Sequence, residues 1–354
     1  MNTLKFVVIF LIFIQIYSLK SLNQYPLDSN YHKWETIADS LRKYDNILGS
    51  NSQIEIIGYS GTENLPIEAI HIHKPKSSFT NKLKKLSPFN SSNLWDLALR
   101  DSVKKVLIIG QHHGEEPIGI EIAMAFLKSL TQESENIDKL LENYYFTIIP
   151  TINPEAFRIV SNGEYPLRRK NCRDTNHNGI FDMVTDGVDL NKNYPSNWKK
   201  ANLKDVNNQY YKGESAASEP EVQAVISLAE REEYEYAFLY HSSSTGAYSE
   251  VIFFPYNWLH EKSKHWSELK SFADSLAFML PRQFLEGNYE VYTGETSQFG
   301  YARDYLYRNY GTFALTIEVG ALTATNEVMY FPQNKKLDKI ILEHINSLHN
   351  ILRY

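Results

Sequence analysis

Short apolar runs that alternate with helical patterns constrain the fold of this chain more than any other feature. The runs of strand length lie at residues 106–110, 145–151, 237–240 and 313–319. Helical patterns between them begin with Pro117 and with the Glu-Pro-Glu segment at 219–221, and proline and acids suit a first helical turn. This alternation predicts a three-layer α/β/α sandwich around a mixed, largely parallel twisted sheet. Ligands of such sheets bind beyond the carboxyl ends of the strands.

Other elements complete the prediction. They are a helix over 25–47, paired strands at 54–58 and 67–72, a polar surface excursion over 75–101 and an amphipathic helix from Lys336 onward.

The N-terminus has the pattern of a secretory signal. Lys5 precedes an apolar run at 6–17, and small residues follow at Ser18 and Ser21. We predict a signal peptide over 1–21 and an exported, secreted or periplasmic catalytic domain over 25–354. Because the run is shorter than an ordinary spanning helix, we expect no stable membrane association after signal removal. An uncleaved membrane anchor is the alternative.

Composition excludes several classes of protein. The 354 residues include 43% hydrophobic residues, which excludes a disordered chain. With 36 Lys and Arg against 42 Asp and Glu, the net charge is −6, so nucleic acid is not expected as a partner. The single cysteine, Cys172, excludes an intrachain disulfide.

A histidine-rich segment follows the first buried strand. Residues 111–117 contain two His-x-x-Glu pairs, His112 with Glu115 and His113 with Glu116. Imidazole nitrogens and carboxylate oxygens are ligands of Zn²⁺, and either pair at a strand-to-helix junction can face one point. The spacing alone leaves two interpretations: a metal site, or a polar loop whose side chains cap the next helix.

Two more candidates come at the ends of other strands. His241 directly follows the run at 237–240, and an open catalytic zinc site requires a third such ligand. Glu318 lies near the end of the run at 313–319, where a carboxylate is costly unless it is paired or functional. The alternatives are a hydrogen-bonded core histidine and a carboxylate that pairs with a nearby Arg or Lys.

In this order, the segments resemble the zinc carboxypeptidase family, the carboxypeptidase A-like (M14) metallopeptidases. The resemblance extends from about Tyr31 to the C-terminal helix. The matching segments are Ile-Gly-Tyr-Ser at 57–60, Leu-Pro-Ile at 65–67, His-Gly-Glu-Glu-Pro at 113–117, Pro-Thr-Ile-Asn-Pro-Glu at 150–155, Arg-Lys-Asn at 169–171, Gly-Val-Asp-Leu-Asn-Lys-Asn-Tyr at 187–194, Tyr-His-Ser at 240–242, Tyr292, Asp-Tyr-Leu-Tyr at 304–307 and Thr-Ile-Glu-Val-Gly at 316–320. Each motif is ordinary by itself, whereas their ordered occurrence is strong evidence.

The resemblance implies a metal site and a catalytic pair. It implies that His113, Glu116 and His241 hold Zn²⁺, with His112 at the rim or behind the ligands. Glu318 matches the family's general base, and Arg169 matches the cation that stabilises the oxyanion. The alternative is that Arg169 belongs to a solvated charged face of the protein.

The resemblance also implies substrate contacts. Asn191, Lys192 and Tyr292 match the positions that bind the terminal carboxylate of a peptide, and Tyr289 competes with Tyr292 for that role. Lys192 stands where the family commonly has arginine, which offers a bidentate fork where lysine offers a compact charge. We therefore expect looser carboxylate geometry at this position.

Arg303 occupies the position that, by resemblance, forms the floor of the pocket for the C-terminal side chain. A cationic floor predicts a preference for a C-terminal Glu or Asp. The alternative is that Arg303 pairs with a local acid such as Glu295, or turns to solvent.

Residues 174–185 resemble the beginning of an EF-hand loop. Asp174, Asn176, Asn178 and Asp182 supply oxygens at positions 1, 3, 5 and 9, but position 12 is Thr185. This predicts a Ca²⁺ site that would brace the segment between Arg169 and Asn191, with an Asx-rich turn that needs no metal as the alternative.

We expect an exported zinc metallocarboxypeptidase that acts on peptide or protein substrates. Two other functions remain open at this point. One is a zinc amidase or peptidase acting on γ-glutamyl or other cell-wall peptide bonds, and the other is an inactive peptide-binding protein on the same fold.

Overall fold

The computed structural model describes residues 27, 29–75, 103–242, 248–258, 262–294, 299–320 and 331–353. The signal peptide predicted at 1–21 and nearly all of the polar stretch at 75–101 lie outside these ranges, so both remain predictions. None of the helices within the ranges has the length and apolar character that crossing a membrane requires.

One eight-stranded sheet organises the described part of the chain. Its strands are β1 (Ser52–Tyr59), β2 (Pro66–Ile72), β3 (Lys104–Ile109), β4 (Tyr144–Ile149), β5 (Tyr236–His241), β6 (Val251–Phe253), β7 (Glu290–Val291) and β8 (Phe313–Glu318). In space they follow the order β1-β2-β4-β3-β5-β8-β6-β7. The central strands β4, β3, β5 and β8 are parallel, whereas β1 and β2 on one side and β6 on the other add antiparallel pairs.

Helices cover both faces of this sheet. They are α1 (Trp34–Leu48), α2 (Ile118–Leu130), α3 (Glu135–Asn143), α4 (Pro154–Asn162), α5 (Pro220–Glu232), α6 (Trp266–Met279), α7 (Ala302–Tyr310) and α8 (Asn334–Ile351). The predicted three-layer α/β/α fold with a mixed, largely parallel sheet is therefore confirmed.

The central strands supply two cores because successive side chains point to opposite faces. Ile108 of β3 and Phe238 of β5 belong to the core beneath α1, α2, α3, α4, α6 and α8. Their neighbours Leu107 and Leu239 belong to the core beneath α5 and α7. Strands that are buried on both faces read as continuous apolar runs, which is why the sequence revealed them.

The sequence indicated the edges of the fold less well. The predicted N-terminal helix begins at Trp34 instead of residue 25, and the last strand ends at Glu318. Strands β6 and β7 have three and two residues, too few to show a period. Helix α6 was not predicted, and its Phe278 is 79% exposed, which weakens the amphipathic pattern.

Two glycines allow β3 and α2 to approach closely. A Cβ atom on Gly119 would lie 2.0 Å from the carbonyl oxygen of Gly110, so only glycine permits this contact. The contact anchors the start of α2 against the end of β3. The connecting turn, with both His-x-x-Glu pairs, consequently lies at the carboxyl edge of the sheet.

Candidate metal and substrate site

The carboxyl ends of three parallel strands bring the predicted site residues together. His113 and Glu116 lie in the turn after β3, His241 is the last residue of β5, and Glu318 is the last residue of β8. In the parallel pairing of β5 with β8, His241 and Glu318 are register partners. The edge of the sheet therefore assembles residues that are up to about 200 positions apart in the sequence.

Three of these side chains converge on one point. Nδ1 of His113 and Nδ1 of His241 lie 3.0 and 2.9 Å from Oε2 of Glu116, and the two nitrogens are 3.2 Å apart. All three side chains are buried. Tetrahedral zinc ligands about 2.0–2.1 Å from the ion lie roughly 3.3 Å from one another, so this arrangement fits Zn²⁺. Among the described residues it is the one His, Cys, Asp and Glu group of this kind.

Asp189 holds His113 through the ring nitrogen that does not face Glu116 and His241. Its Oδ1 accepts a hydrogen bond from Nε2 of His113 at 3.0 Å, and its Oδ2 accepts from Nε and Nη2 of Arg169 at 3.1 and 3.0 Å. Burial opposes ionisation of Asp189, but Arg169 and His113 outweigh it and hold the pKa of this carboxyl well below its usual range. Asp189 thus remains a carboxylate that fixes both side chains.

The charges of the metal-site residues depend on one another. Burial and Arg169 lower the pKa of His113, yet the carboxylates of Glu116 and Asp189 outweigh them and raise it to about 9. Burial would raise the pKa of Glu116, but His113 and His241 reverse the effect and lower it. A divalent cation at this point would replace the protons that these groups share.

Asn191 connects the second histidine to α7. Its Nδ2 lies 3.2 Å from Nε2 of His241, and its Oδ1 accepts a hydrogen bond from the backbone N–H of Ala302 at 3.1 Å. The short 3₁₀ turn Leu190–Lys192 presents Asn191 because Oδ1 of Asp189 accepts its backbone N–H at 2.9 Å.

His112 lies behind the ligands. Its ring stacks on that of His241 with the centroids 5.1 Å apart, and its Nε2 lies 3.2 Å from the hydroxyl of Tyr194. Burial and the neighbouring histidines hold the pKa of His112 well below its usual value, so the ring is neutral. From this position, His112 supports the ring of His241 by stacking on it and lies outside the group of three converging side chains.

A cavity opens in front of the three converging side chains. Its volume is about 390 Å³. The residues that line it are His113, Glu116, Arg169, Asn191, Lys192, Asn202, Leu203, Tyr210, His241, Tyr248, Phe253, Phe299, Tyr301, Arg303, Thr316 and Glu318. The cavity therefore joins the predicted metal ligands to most of the predicted catalytic and substrate-binding residues.

Glu318 faces this cavity with one oxygen that has no hydrogen-bond partner in the described part of the chain, Oε2. Burial and the Glu116 carboxylate raise the pKa of Glu318 to about 8, against the opposing charges of His113 and Arg169. A cation held by the three ligands would lower this pKa and favour the carboxylate form. Such a carboxylate can accept a proton from water.

Arg169 also lines the cavity. Its Nη1 lies 3.3 Å from Oε1 of Glu116 and 3.5 Å from Oε1 of Glu115, and its guanidinium stacks over Tyr210 at 5.1 Å. It is therefore a paired cation beside the metal ligands with a side chain that is 14% exposed, so the solvated-face interpretation is not supported.

Two more cations line the cavity and are more buried than Arg169. Lys192 is 6% exposed and Arg303 is 2% exposed. Both pack on Tyr301, with Nζ of Lys192 3.8 Å and Cζ of Arg303 4.2 Å from the ring centroid. Arg303 does not turn to solvent, and Glu295, its suggested partner, lies outside the described residues.

Tyr292 lies near the cavity but not on its wall. Its ring packs on those of Tyr248 and Phe253, at 5.4 and 5.2 Å, and these two residues line the cavity. Tyr289, the competing candidate, is a core residue whose hydroxyl donates to the carbonyl of Val319 at 3.2 Å. The structure therefore removes Tyr289 from the substrate-binding candidates, and the role of Tyr292 stays a prediction.

The calcium prediction is not supported. Each predicted ligand accepts a hydrogen bond from a backbone N–H of its own loop, at 2.7–3.0 Å: Asp174, Asn176, Asn178 and Asp182. The bonds of Asn176, Asn178 and Asp182 form Asx turns, and that of Asp174 spans the loop to Gly179, so the loop is ordered without an ion. The sequence pattern alone could not distinguish an oxygen that binds a metal from one that accepts a backbone N–H.

Sequence reasoning overlooked several residues of the site. Asp189 lies in the matching segment at 187–194, two residues before Asn191, but the sequence predicts no role for it. Tyr301 and Tyr248 lie next to the predicted segments without any pattern that distinguishes them from other tyrosines. Glu115, rejected as a ligand, is 3% exposed beside Arg169, and burial raises its pKa to about 7.

Comparison with known proteins gives a consistent result. The family model described as "Zinc carboxypeptidase" matches residues 37–347. A metallocarboxypeptidase A-like protein of Trichophyton verrucosum is 26% identical over 200 residues, which cover 56% of this chain and 40% of that protein. The chain thus matches less than half of the length of this relative.

Two solved structures illustrate the similarity of the fold. Carboxypeptidase A of Helicoverpa armigera has a TM-score of 0.73 at 17% identity, with 98% of this chain and 80% of that chain covered. Bovine thrombin-activatable fibrinolysis inhibitor, in complex with tick carboxypeptidase inhibitor, has a TM-score of 0.70 at 20% identity, with 91% and 96% covered. At these identities, the similarity concerns the fold.

Proposed function

The chain belongs to the zinc carboxypeptidase family, and from this premise we propose that it is an exported zinc-dependent carboxypeptidase that removes acidic C-terminal residues from peptides. The metal ligands are His113, Glu116 and His241. The peptide's C-terminal residue enters the cavity in front of them.

The observation that carries the acidic preference is the environment of Arg303. This side chain is 2% exposed and lines the cavity, and no described residue accepts a hydrogen bond from its guanidinium. Its nearest described carboxylate oxygen is Oδ1 of Asp304, 3.6 Å from Nε. A buried cation without a hydrogen-bonded partner is costly, so a carboxylate of the substrate has much to gain there.

The three ligands fit zinc in number, type and spacing. Bound there, Zn²⁺ supplies Lewis acidity, which lowers the pKa of water and polarises a carbonyl oxygen. Oδ1 of Asp189 accepts a hydrogen bond from the Nε2–H of His113, so the Nδ1 lone pair of that ring is available to the metal.

Glu318 and Arg169 act on the peptide bond. Oε2 of Glu318, which has no described partner, takes the proton of the attacking water and returns it to the leaving amine nitrogen. The guanidinium of Arg169 stabilises the oxyanion, because it is held beside the metal ligands by Asp189 and needs no reorganisation.

Asn191 and Lys192 bind the terminal carboxylate. Both line the cavity next to Arg303, so one substrate residue can reach all three side chains. Its α-carboxylate meets Asn191 and Lys192 while its side-chain carboxylate meets Arg303. We also propose Tyr292 as a further contact of the terminal carboxylate.

Export rests on the N-terminal sequence pattern. Lys5 and the apolar run at 6–17 support cleavage of a signal peptide near residue 21. N-terminal sequencing of the protein from the culture medium and from a periplasmic fraction tests this proposal. An intact N-terminus at Met1 in the mature protein would contradict it.

A peptide digest followed by mass spectrometry tests the activity. A mixed peptide library is incubated with the protein, with and without a zinc chelator. We expect stepwise, chelator-sensitive loss of residues from the C-terminus. Cleavage only at γ-glutamyl bonds of cell-wall peptides would favour the amidase, and zinc binding without any hydrolysis would favour the peptide-binding protein.

Matched peptides that end in Glu, Gln, Leu and Lys test the preference. A charge-assisted hydrogen bond contributes about 1.5–3 kcal/mol, which corresponds to about 10–150-fold in kcat/KM for Glu over Gln. Arg303→Ala should abolish this difference, whereas Arg42→Ala, a side chain that is 58% exposed, should keep it. Faster cleavage of the Leu or Lys peptide by the wild type would contradict the preference.

A further inference from the structure

Lys192 and Arg303 share one aromatic ring in the cavity. Nζ of Lys192 lies 3.8 Å and Cζ of Arg303 lies 4.2 Å from the centroid of Tyr301. A second ring, that of Phe253, lies 5.3 Å from Cζ of Arg303. Two like charges would separate in open solvent, so this proximity requires something that attracts both.

Neither cation has a hydrogen-bonded counterion in the described ranges. Nε of Arg303 is 3.6 Å from Oδ1 of Asp304, beyond hydrogen-bond distance, and that oxygen accepts instead from the backbone N–H of Tyr256 at 3.1 Å. Lys192 Nζ donates to no described acceptor. Asp304 thus forms an ion pair with Arg303 that lacks hydrogen-bond distance, and it is a local acid of the kind that the sequence predicted as an alternative partner. The carboxylates of Asp189 and Glu318 act on the two cations only through their charge.

We propose that Tyr301 is a positioning residue that holds Lys192 and Arg303 side by side as a receptor for the two carboxylates of a C-terminal Glu or Asp. This inference rests on the proposed function and adds the residue on which its acidic preference depends.

The backbone fixes the position of the ring. The N–H of Tyr194 donates to the carbonyl of Gly300 at 3.1 Å, and the N–H of Gly300 donates to the carbonyl of Ser196 at 2.7 Å. A Cβ atom on Gly300 would lie 2.0 Å from the carbonyl oxygen of Lys192, and its φ of +72° also favours glycine. The segment before α7 is thus hydrogen-bonded to Tyr194 and Ser196 and lies against the carbonyl of Lys192, which brings Tyr301 beside both cations.

An aromatic ring suits this role because of its charge distribution. Its negative face attracts a cation without neutralising it, so the cation keeps its charge for a ligand. A carboxylate in the same place would pair with the cations and compete with the substrate. Without the ring, Arg303 can close the 3.6 Å gap to Asp304 and lose its availability.

The test compares the wild type with Tyr301→Leu, Tyr301→Phe and Tyr59→Leu. Tyr59, at the end of β1, is 44% exposed and serves as the matched control. Two quantities are measured: kcat and KM for peptides ending in Glu or Gln, and the dissociation constants of N-acetylglutamate and N-acetylglutamine by calorimetry. The calorimetric values do not depend on turnover.

We expect Tyr301→Leu to lower the Glu-to-Gln ratio of kcat/KM, and of affinity, about tenfold, mainly through KM. Tyr301→Phe keeps the ring face and should keep the ratio, as should Tyr59→Leu. If Tyr301→Leu does not fold, Tyr301→Met fills similar space without a ring face and takes its place.

An unchanged ratio in the Leu or Met variant would overturn the inference, as would an equal loss for both ligands or a Phe variant as impaired as Leu. If no form of the protein hydrolyses any peptide, the proposed function fails. The affinities for the two N-acetyl amino acids then still decide the role of Tyr301.

Discussion

The carboxylate of Asp189 accepts a hydrogen bond from Nε2 of His113 at 3.0 Å, and this contact determines which nitrogen of the ring is free. With Nε2 engaged, Nδ1 faces Glu116 and His241. The other oxygen of Asp189 accepts from the guanidinium of Arg169. One buried carboxylate consequently orients a proposed metal ligand and a proposed catalytic cation.

Asp189→Asn should weaken metal binding and turnover together. An amide can still contact His113, but it loses the charge that favours the Nε2–H form and that pairs with Arg169. We expect zinc affinity to fall about 10–100-fold, with a loss of kcat that saturating zinc does not restore. Zinc titration by competition with a chelator and steady-state kinetics measure both. Asp338→Asn, at an exposed position of α8, is the control, and equal behaviour of the two variants would contradict the dual role.

We expect one Zn²⁺ per chain, held by His113, Glu116 and His241. His113→Ala and His241→Ala should each remove it, because three protein ligands leave none to spare. His112→Ala should retain zinc, since that ring stacks behind His241 and does not converge with the others. Elemental analysis of the purified variants measures the outcome. Zinc loss confined to His112→Ala would reverse the assignment of the His-x-x-Glu pair.

Glu318→Gln should keep zinc and fold but lose most turnover. Glutamine has the shape of glutamate but cannot take a proton from water, and general base catalysis is worth about 10²–10⁴-fold. The measurement is kcat of the zinc-loaded variant, together with its zinc content. A variant with full zinc and near-normal kcat would exclude Glu318 as the base.

His32 should stabilise the fold in a pH-dependent manner. Its Nδ1 lies 2.7 Å from Oε2 of Glu121, a residue of α2. Glu121 is 4% exposed. Burial lowers the pKa of His32, but the bond to Glu121 and its charge outweigh burial and raise it. Because the pKa of His32 is raised in the folded protein, the charged His32–Glu121 pair stabilises the fold fully below the unfolded-state pKa of about 6.5. This stabilisation is lost as pH rises through the folded-state pKa of His32.

His32→Gln should therefore reduce the free energy of unfolding more at pH 5.5 than at pH 9. Urea unfolding of both proteins across this range gives the difference at each pH. A difference that stays constant from pH 5.5 to pH 9 would contradict a charged His32–Glu121 pair.

Local patterns determined much of the fold. The runs that became β3, β4, β5 and β8 were readable because strands buried on both faces are continuously apolar. The rule that ligands bind at the carboxyl ends of parallel strands then drew attention to His113, His241 and Glu318. Elements without such a pattern, such as the three-residue strand β6, could not be found from the sequence.

The resemblance to a family carried the prediction further than the pattern did. From the residues alone, His112 and His113 were equal candidates, and Arg169 read as part of a charged surface. Only their order within a set of motifs assigned the roles. The EF-hand-like pattern at 174–185 was not supported as a calcium site. The side-chain oxygens of its four predicted ligands accept hydrogen bonds from backbone N–H groups of the same loop.

The sequence by itself determined the central strands, the sandwich and the residues that follow the ends of those strands, because periodicity and strand ends are local properties. Only the tertiary structure decided which side chains meet. His113 and His241 are separated by 128 positions, and Lys192 and Tyr301 come from different segments that backbone hydrogen bonds join. Contacts between distant segments depend on packing and on hydrogen bonds across the fold, and no local pattern encodes them. The burial of Tyr289 in the core, and the contact of two cations with one ring, therefore became visible only in three dimensions.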